Sequence, residues 1–436
     1  MNLKNSQLFL VNQVKSFIKN SKAKGLPIFK LGTFYFAPFG ESLGYAKVIY
    51  KQNKLRGILL NILIFLKSIY KISFLGKFKI INNIKGKNYK IIIFNWAYLK
   101  DFDKSGNFQD KHFNVNSKKH QGILWILVML DKNIPEKIGN NVILITNGNN
   151  EFNFRILWNA LKKSLKKGSI SYFYHEASYF SALADFIYNK LDELVSKKTR
   201  KVLMPYEGQP FQNAIFKKTK KINQTIKTIG FIHSFPVGLP LNLIKKDGSP
   251  QKIIVSGESQ SYCLNKFLGW KKKEIKILPS TRFIKSKESD MKNKIFLPIS
   301  LVSSNNILDH LNTLTKKLEI NISNFQIKNH PSRTHSKKHI KLIKKIKKIM
   351  HNSNSNKNKK NLSIFIGATG SVIEALGRNV EPIHICENPT LECYSEKLWK
   401  FIKNDEINKN VFKYRAIQKN KLIKFGKNAN LFRKYI

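Results

Sequence analysis

"LSIFIGATGSVIEALGRNVEPIHI", residues 362 to 385, holds one complete unit of an α/β fold. An apolar strand runs to Gly367, then Thr369, Gly370 and Ser371 form a turn of small residues. A helix opens at Val372, carries Glu374 and stops at Gly377. A second apolar strand, "VEPIHIC", follows at once. Continuous apolar strands with a helix between them belong to a parallel sheet covered on both faces. Small hydroxyl residues at a helix start let backbone amides approach a phosphate closely, so residues 367 to 371 form a candidate anion seat. Taken alone, the same residues are a routine strand-to-helix turn.

The alternation extends in both directions from this unit. "NKIFLPIS" and "NFQIKNH" read as strands before it, separated by the helices "NILDHLNTLTKKL" and "KHIKLIKKIKKIM". An earlier series starts near residue 88: "YKIIIFNW", "NVILIT", "KVLMPYE", "IKTIGFIH" and "QKIIVSG" have strand length, while "HQGILWILVMLDKNI" and "FRILWNALKKSL" have helical spacing. The polar stretch 282–294 is the natural linker between the two series, and 351–361 is a surface loop inside the second. The predicted fold is therefore α/β, with two Rossmann-like parallel-sheet domains over 88–285 and 286–400. An N-terminal extension over 1–87, in part an amphipathic basic helix, precedes them, and a C-terminal helical tail over 401–436 packs back on them. A chain of 436 residues fits two domains with an appendage.

Charge dominates the composition: 79 Lys and Arg against 26 Asp and Glu give +53. Such an excess favours anionic partners, whether nucleic acid, acidic lipid or phosphorylated substrates. Nearly all of it is Lys, whereas nucleic-acid readers concentrate Arg and aromatics, and no helix-turn-helix, zinc or RNP-like pattern is present. Cys263, Cys386 and Cys393 form no CxxC pair, so the spacing predicts neither a disulfide framework nor a zinc site, and a reducing cytoplasm is the simplest compartment. The most lipid-like stretch, residues 55 to 78, is interrupted by Asn61, Lys67 and Lys71 and falls short of the roughly 20 residues that span a bilayer. As a helix it suits either an interfacial position on anionic lipid or a buried dock on the first domain.

In open α/β sheets the residues just after the strands face the ligand crevice. "KVLMPYEGQPFQNAIF" puts Glu207 there, either as a general base or as the acid of a helix N-terminus. "IKTIGFIHSFPVGLP" puts His233 there, as a proton acceptor, a phosphate donor or an interdomain contact. "NFQIKNHPSRTHSKKH" places Lys328 and His330 at a strand edge, Pro331 stops the strand, and Ser332 is suited to cap the helix that follows. Arg282 in "LPSTRF" lies at the domain junction, placed for a donor phosphate or for a hinge salt bridge. Glu374 serves a donor ribose or the first turn of its own helix.

The order "EGQPFQNAIF", "IGFIHS", "KNHPS" and "GATGSVIEALG" resembles bacterial surface-carbohydrate biosynthesis proteins of the GT-B glycosyltransferase type, among them capsule sialyl-, polysialyl- and Kdo transferases and CDP-glycerol glycerophosphotransferases. The resemblance covers roughly residues 88 to 400. It implies a metal-independent transfer, in an interdomain cleft, from a nucleotide-sugar donor, CMP- or CDP-linked, to a glycan or lipid-linked acceptor. It puts His330 and Pro331 on the donor phosphate together with Thr369 and Ser371. It makes Glu207 the base by the sialyltransferase pattern and His233 by the glycerophosphotransferase pattern. Only one acid precedes Gly208, and Ser234 and Phe235 follow His233, so both patterns are incomplete. No cofactor, no metal ligand and no specific nucleic acid are expected, and the expected location is the cytoplasm, either free or peripheral on the inner face of the cytoplasmic membrane. Acceptor contacts are expected around 95–108. The rival readings are a sugar-nucleotide epimerase on the same fold, a nucleic-acid-binding protein, and a non-catalytic assembly protein.

Overall fold

A computed structural model describes residues 3–20, 28–31, 47–50, 59, 62–63, 66–67, 69–70, 73–82, 89–148, 154–166, 178–280, 287–301, 303–330, 333–353 and 361–426. The chain opens with the helix Leu3–Lys19, and a parallel pair, β1 (Ile28–Leu31) and β2 (Lys47–Tyr50), stands apart from the larger sheets.

The first large sheet contains β3 (Phe78–Ile81), β4 (Ile91–Ala97), β7 (Ile123–Met129), β8 (Val142–Asn147), β9 (Lys201–Pro205), β10 (Lys227–Phe231), β11 (Lys252–Val255) and β12 (Ile275–Ile277). Its order is β12-β11-β10-β9-β4-β7-β8-β3, parallel throughout except for β3 against β8. A small antiparallel hairpin, β5 (Gln109–Asp110) and β6 (Val115–Asn116), is inserted between β4 and β7. The chain builds outward from β4 through β7 to β8, then returns to lay β9 on the other side of β4. The order therefore reverses between β4 and β9, and such a switch point leaves a crevice at the carboxyl edge.

The stretch 120–134, whose spacing predicts a helix, is instead strand β7, with all seven residues buried. A strand inside a doubly covered sheet is apolar at every position, so it has no period of two, and Ile, Val and Trp favour the extended form. Helix Phe154–Lys166 forms as its spacing predicts.

The second sheet contains β13 (Lys294–Phe296), β14 (Gln326–Lys328), β15 (Leu362–Ile366), β16 (Glu381–Ile385), β17 (Ile402–Asn408) and β18 (Val411–Ala416), in the order β14-β13-β15-β16-β18-β17. The first four are parallel and the last two form an antiparallel hairpin against β16. This corrects the expectation of a helical tail over 401–436. "VFKYRA" buries Val411, Phe412 and Tyr414, and Asn410 turns the chain at φ +61°, a left-handed position that Asn tolerates. Among the described residues, only the short helix Lys419–Leu422 follows. The segment after it does cross back to the first sheet, where Lys424 N–H donates to Ser256 O and Ser280 N–H to Lys424 O.

One apolar core runs through both sheets. It joins Phe94, Leu124 and Val255 to Phe365, Val372, Trp399 and Phe412, and takes in Leu10, Val11 and Val14 from the N-terminal helix. Gln7 of that helix donates to Cys393 O at 2.9 Å. Leu239 N–H donates to Leu391 O, and Trp399 Nε1 to Gly238 O at 2.6 Å. Among the described residues no helix is long and apolar enough to cross a membrane.

Candidate functional site

Glu207 follows β9 at the switch point of the first sheet. Gly208 takes φ +72°, and a Cβ on it would lie 2.0 Å from Asn242 O, so only glycine permits this turn. Pro210 then opens the helix Pro210–Ile222 at a position where its missing N–H does no harm. Glu207 is fixed from three sides. Its N–H donates to Gln212 Oε1 (2.9 Å), its carbonyl accepts from Asn242 Nδ2 (2.9 Å), and its Oε2 accepts from Gln209 Nε2 (2.8 Å). Its Oε1 lies 3.5 Å from Nε2 of His233, which follows β10, the strand next to β9. The carboxylate side chain is 34% exposed and the imidazole 11%, so the acid is the solvent-facing member of the pair.

Behind His233 stands a group that the motifs did not mark. The His112 ring meets the His233 ring edge to face, with centroids 4.4 Å apart. His112 Nδ1 is 2.9 Å from Oδ1 of Asn95, a buried residue of β4. Asp110 lies beneath, fully buried, accepting the N–H groups of His112 (2.9 Å) and Phe113 (3.0 Å) and the Trp125 indole (3.3 Å). Burial outweighs these bonds and pushes its carboxyl up to about 6. The hairpin β5–β6 supplies Asp110 and His112, just past the stretch 95–108. Only Asn95 at a strand end, followed by an Asp-Lys-His triplet, hinted at them in the sequence.

The second sheet reverses its order between β13 and β15. Gly367 ends β15 there at φ +63°, donating its N–H to Ile385 O (2.8 Å) and accepting from His384 Nε2 (2.7 Å). In the turn beyond it, Ser371 N–H donates to Thr369 Oγ1 (3.2 Å), and the Tyr394 hydroxyl lies 3.0 Å from Thr369 O and 2.6 Å from Pro236 O. A Cβ on Gly370 would sit 1.9 Å from Phe235 O. Gly370 is therefore required by the first domain's backbone, a packing reason that stands without any phosphate. Phe235 is two residues past His233, so the turn 369–371 is set against the loop that carries the candidate base. Glu374 is half-buried on the short helix Ser371–Gly377.

Lys328 and His330 are arranged differently from expectation. This stretch and the 369–371 turn follow strands that are not neighbours, since β13 lies between β14 and β15. The helix after His330 starts at Lys337, with Ser336 at its cap, and not at Ser332. The intervening turn has its own bonds: Asn329 Nδ2 donates to Arg333 O and Arg333 Nε to Ile299 O, both at 2.8 Å. Lys328 is exposed and His330 half-buried. The buried imidazole of this region is His339, whose ring nitrogens lie 3.0 Å from Ser336 Oγ and 2.9 Å from Pro298 O. Arg282, Pro331 and Ser332 lie outside the described residues.

The N-terminus of helix Ser304–Lys316 is already met by a carboxylate, since Ser303 N–H donates to Glu387 Oε1 at 2.8 Å. Three buried groups nearby, His384, Cys386 and Glu392, bring ligand-type atoms within 4.8 Å of one another. Cysteine spacing predicts no metal site because two of these three ligands are not cysteines. Compared with known proteins, the chain matches no family model and no curated protein.

Proposed function

We propose that the chain is a glycosyltransferase of the GT-B type, moving a sugar from a nucleotide-activated donor onto a surface-glycan acceptor without a catalytic metal ion. The observation that carries this reading is the Glu207–His233 pair, 3.5 Å apart, with Glu207 after β9 at the switch point of the first sheet and His233 on a loop that abuts the 369–371 turn of the second. Glu207, the more exposed member, takes the proton of the acceptor hydroxyl. The oxygen's electron pair forms the new bond to the anomeric carbon as the bond to the donor phosphate breaks, and the nucleotide leaves with that electron pair. His233 positions Glu207 from behind, held in turn by His112 and Asn95. Lys328 and His330 on one side of the second switch point, and the 369–371 turn on the other, are the groups available to the leaving phosphate.

The expected acceptor is a glycan or lipid-linked, and the surface favours the lipid-linked form. Leu59, Ile62, Leu63, Leu66 and Tyr70 are exposed, and Ile69 packs in the cluster around Ala160 of the helix that also exposes Phe154 and Trp158. Apolar side chains on a chain of +53 suit the surface of an anionic membrane.

The deciding experiment is a thermal-shift screen against CMP, CDP, UDP, GDP and their sugar conjugates at moderate salt, followed by a transfer assay with the donor found. Selective stabilisation by one nucleotide, lost in His330→Ala, is the expected result. An equal response to inorganic phosphate and RNA sinks the transferase reading in favour of an anion-binding protein.

A further inference from the structure

His384 lies on β16 and Cys386 directly follows the strand's last residue, two positions on, with its sulfur 3.5 Å from His384 Nδ1. The short helix Pro389–Glu392 brings Glu392 to them. All three are buried, at 0%, 2% and 3% exposure, and the transfer chemistry at Glu207 makes no use of them. Two geometric features set the group apart from a chance meeting. His384 Nε2 donates to Gly367 O at 2.7 Å, which leaves Nδ1 with its lone pair beside Cys386 Sγ at 3.5 Å. A ring nitrogen anchored on a backbone carbonyl is the arrangement found behind metal-bound histidines. A sulfur at 2.3 Å and a nitrogen at about 2.0 Å from one tetrahedral centre stand about 3.5 Å apart, which is the separation here.

The Glu392 carboxylate accepts the Glu387 N–H at 2.8 Å, and the other groups acting on it are a backbone N–H and the Glu387 carboxylate, with no Lys or Arg among them. A buried acid, a thiol and an imidazole converge here, donor types that a transition-metal ion accepts together. Cys386 is also among the residues that line a small pocket with Ser303, His310, Glu387 and Asn410.

We propose that His384 Nδ1, Cys386 Sγ and the Glu392 carboxylate hold one divalent transition-metal ion of the zinc class, in a structural role. Thiolate with imidazole selects zinc or cobalt over magnesium and calcium. Binding forms the metal–sulfur bond as the thiol proton passes to solvent. Cys393 stands behind, its sulfur accepting from the Tyr414 hydroxyl at 3.4 Å, and that hydroxyl lies 3.3 Å from His384 Nδ1. The ion ties β16 to the segment 389–399, which docks on the loop carrying His233, so it stiffens the domain junction.

The test uses the full chain. Elemental analysis of the purified protein is expected to find roughly one zinc per chain, and refolding with Co²⁺ to give a thiolate-to-cobalt charge-transfer band. The band should vanish in Cys386→Ser and His384→Ala and persist in Cys263→Ser. Should those variants fail to fold, alkylation of the wild-type chain under mild denaturant, mapped by mass spectrometry, replaces them: Zn²⁺ is expected to protect Cys386 and leave Cys263 unchanged. Absence of both bound metal and the cobalt band, persistence of the band in Cys386→Ser, or alkylation of Cys386 indifferent to Zn²⁺ each overturns the proposal.

Discussion

Glu207 and His233 divide one task by exposure. The half-buried carboxylate is the member that meets an acceptor, and the more deeply set ring fixes its direction. Glu207→Gln is expected to lower kcat/KM by about 10²- to 10⁴-fold with an unchanged melting temperature. His233→Ala should lower kcat less and leave KM for the donor nearly unchanged. Full activity in Glu207→Gln would falsify its role as base. Asp110 supplies a separate prediction in stability. Unfolded, its carboxyl titrates near 3.8; folded, at about 6. Between these values the folded chain holds a proton that the unfolded chain has released. Stability therefore falls as pH rises from about 4 to 6, by roughly 3 kcal/mol in all. Urea unfolding across this range should show the decline, and Asp110→Asn should flatten it. A wild-type profile that rises through the window contradicts the assignment. Glu207 and His233 were legible as residues after strands. His112 and Asp110 were not, because a hairpin inserted between two strands delivers them to the site through space.

At the scale of elements, the turn between β15 and its helix is also a domain contact. Gly370 lies against Phe235 O closely enough that a methyl group forces the two apart. Gly370→Ala is expected to destabilise by about 1–3 kcal/mol in denaturant titrations and to reduce transfer, because the 369–371 turn shifts away from the His233 loop. A variant of unchanged stability shows that the junction yields there. Two elements illustrate where sequence periodicity stops informing. Strand β7 is apolar at every position because helices or loops cover both of its faces, so nothing in its own pattern distinguishes it from a buried helix. The hairpin β17–β18 reads as a polar tail because β17 is an edge strand, with exposed Lys403, Asp405 and Glu406 between half-buried positions.

At the scale of the molecule, the two sheets share one core, crossed by the N-terminal helix and by the segment after β18. Calorimetry is therefore expected to show a single unfolding transition whose van't Hoff and calorimetric enthalpies agree, where separate cores would give two. The exposed apolar residues at 59–70 and 154–158 should bring the protein down with vesicles rich in anionic lipid. Leu63→Glu with Trp158→Glu should abolish this sedimentation and leave the nucleotide response intact. Sedimentation unaffected by the double variant places the membrane contact elsewhere. The sequence by itself determined the α/β class, nine of the fourteen strands of the two large sheets and the placing of Glu207, His233 and the 369–371 turn at strand ends. These follow from local hydrophobic runs and turn chemistry, which act over a few residues. Strand order, the pairing of His112 with His233, the interposition of β13 and the convergence of His384, Cys386 and Glu392 were decided only by the tertiary structure. Each depends on which strand lies beside which, and that is set by burying one shared core rather than by any neighbouring residue.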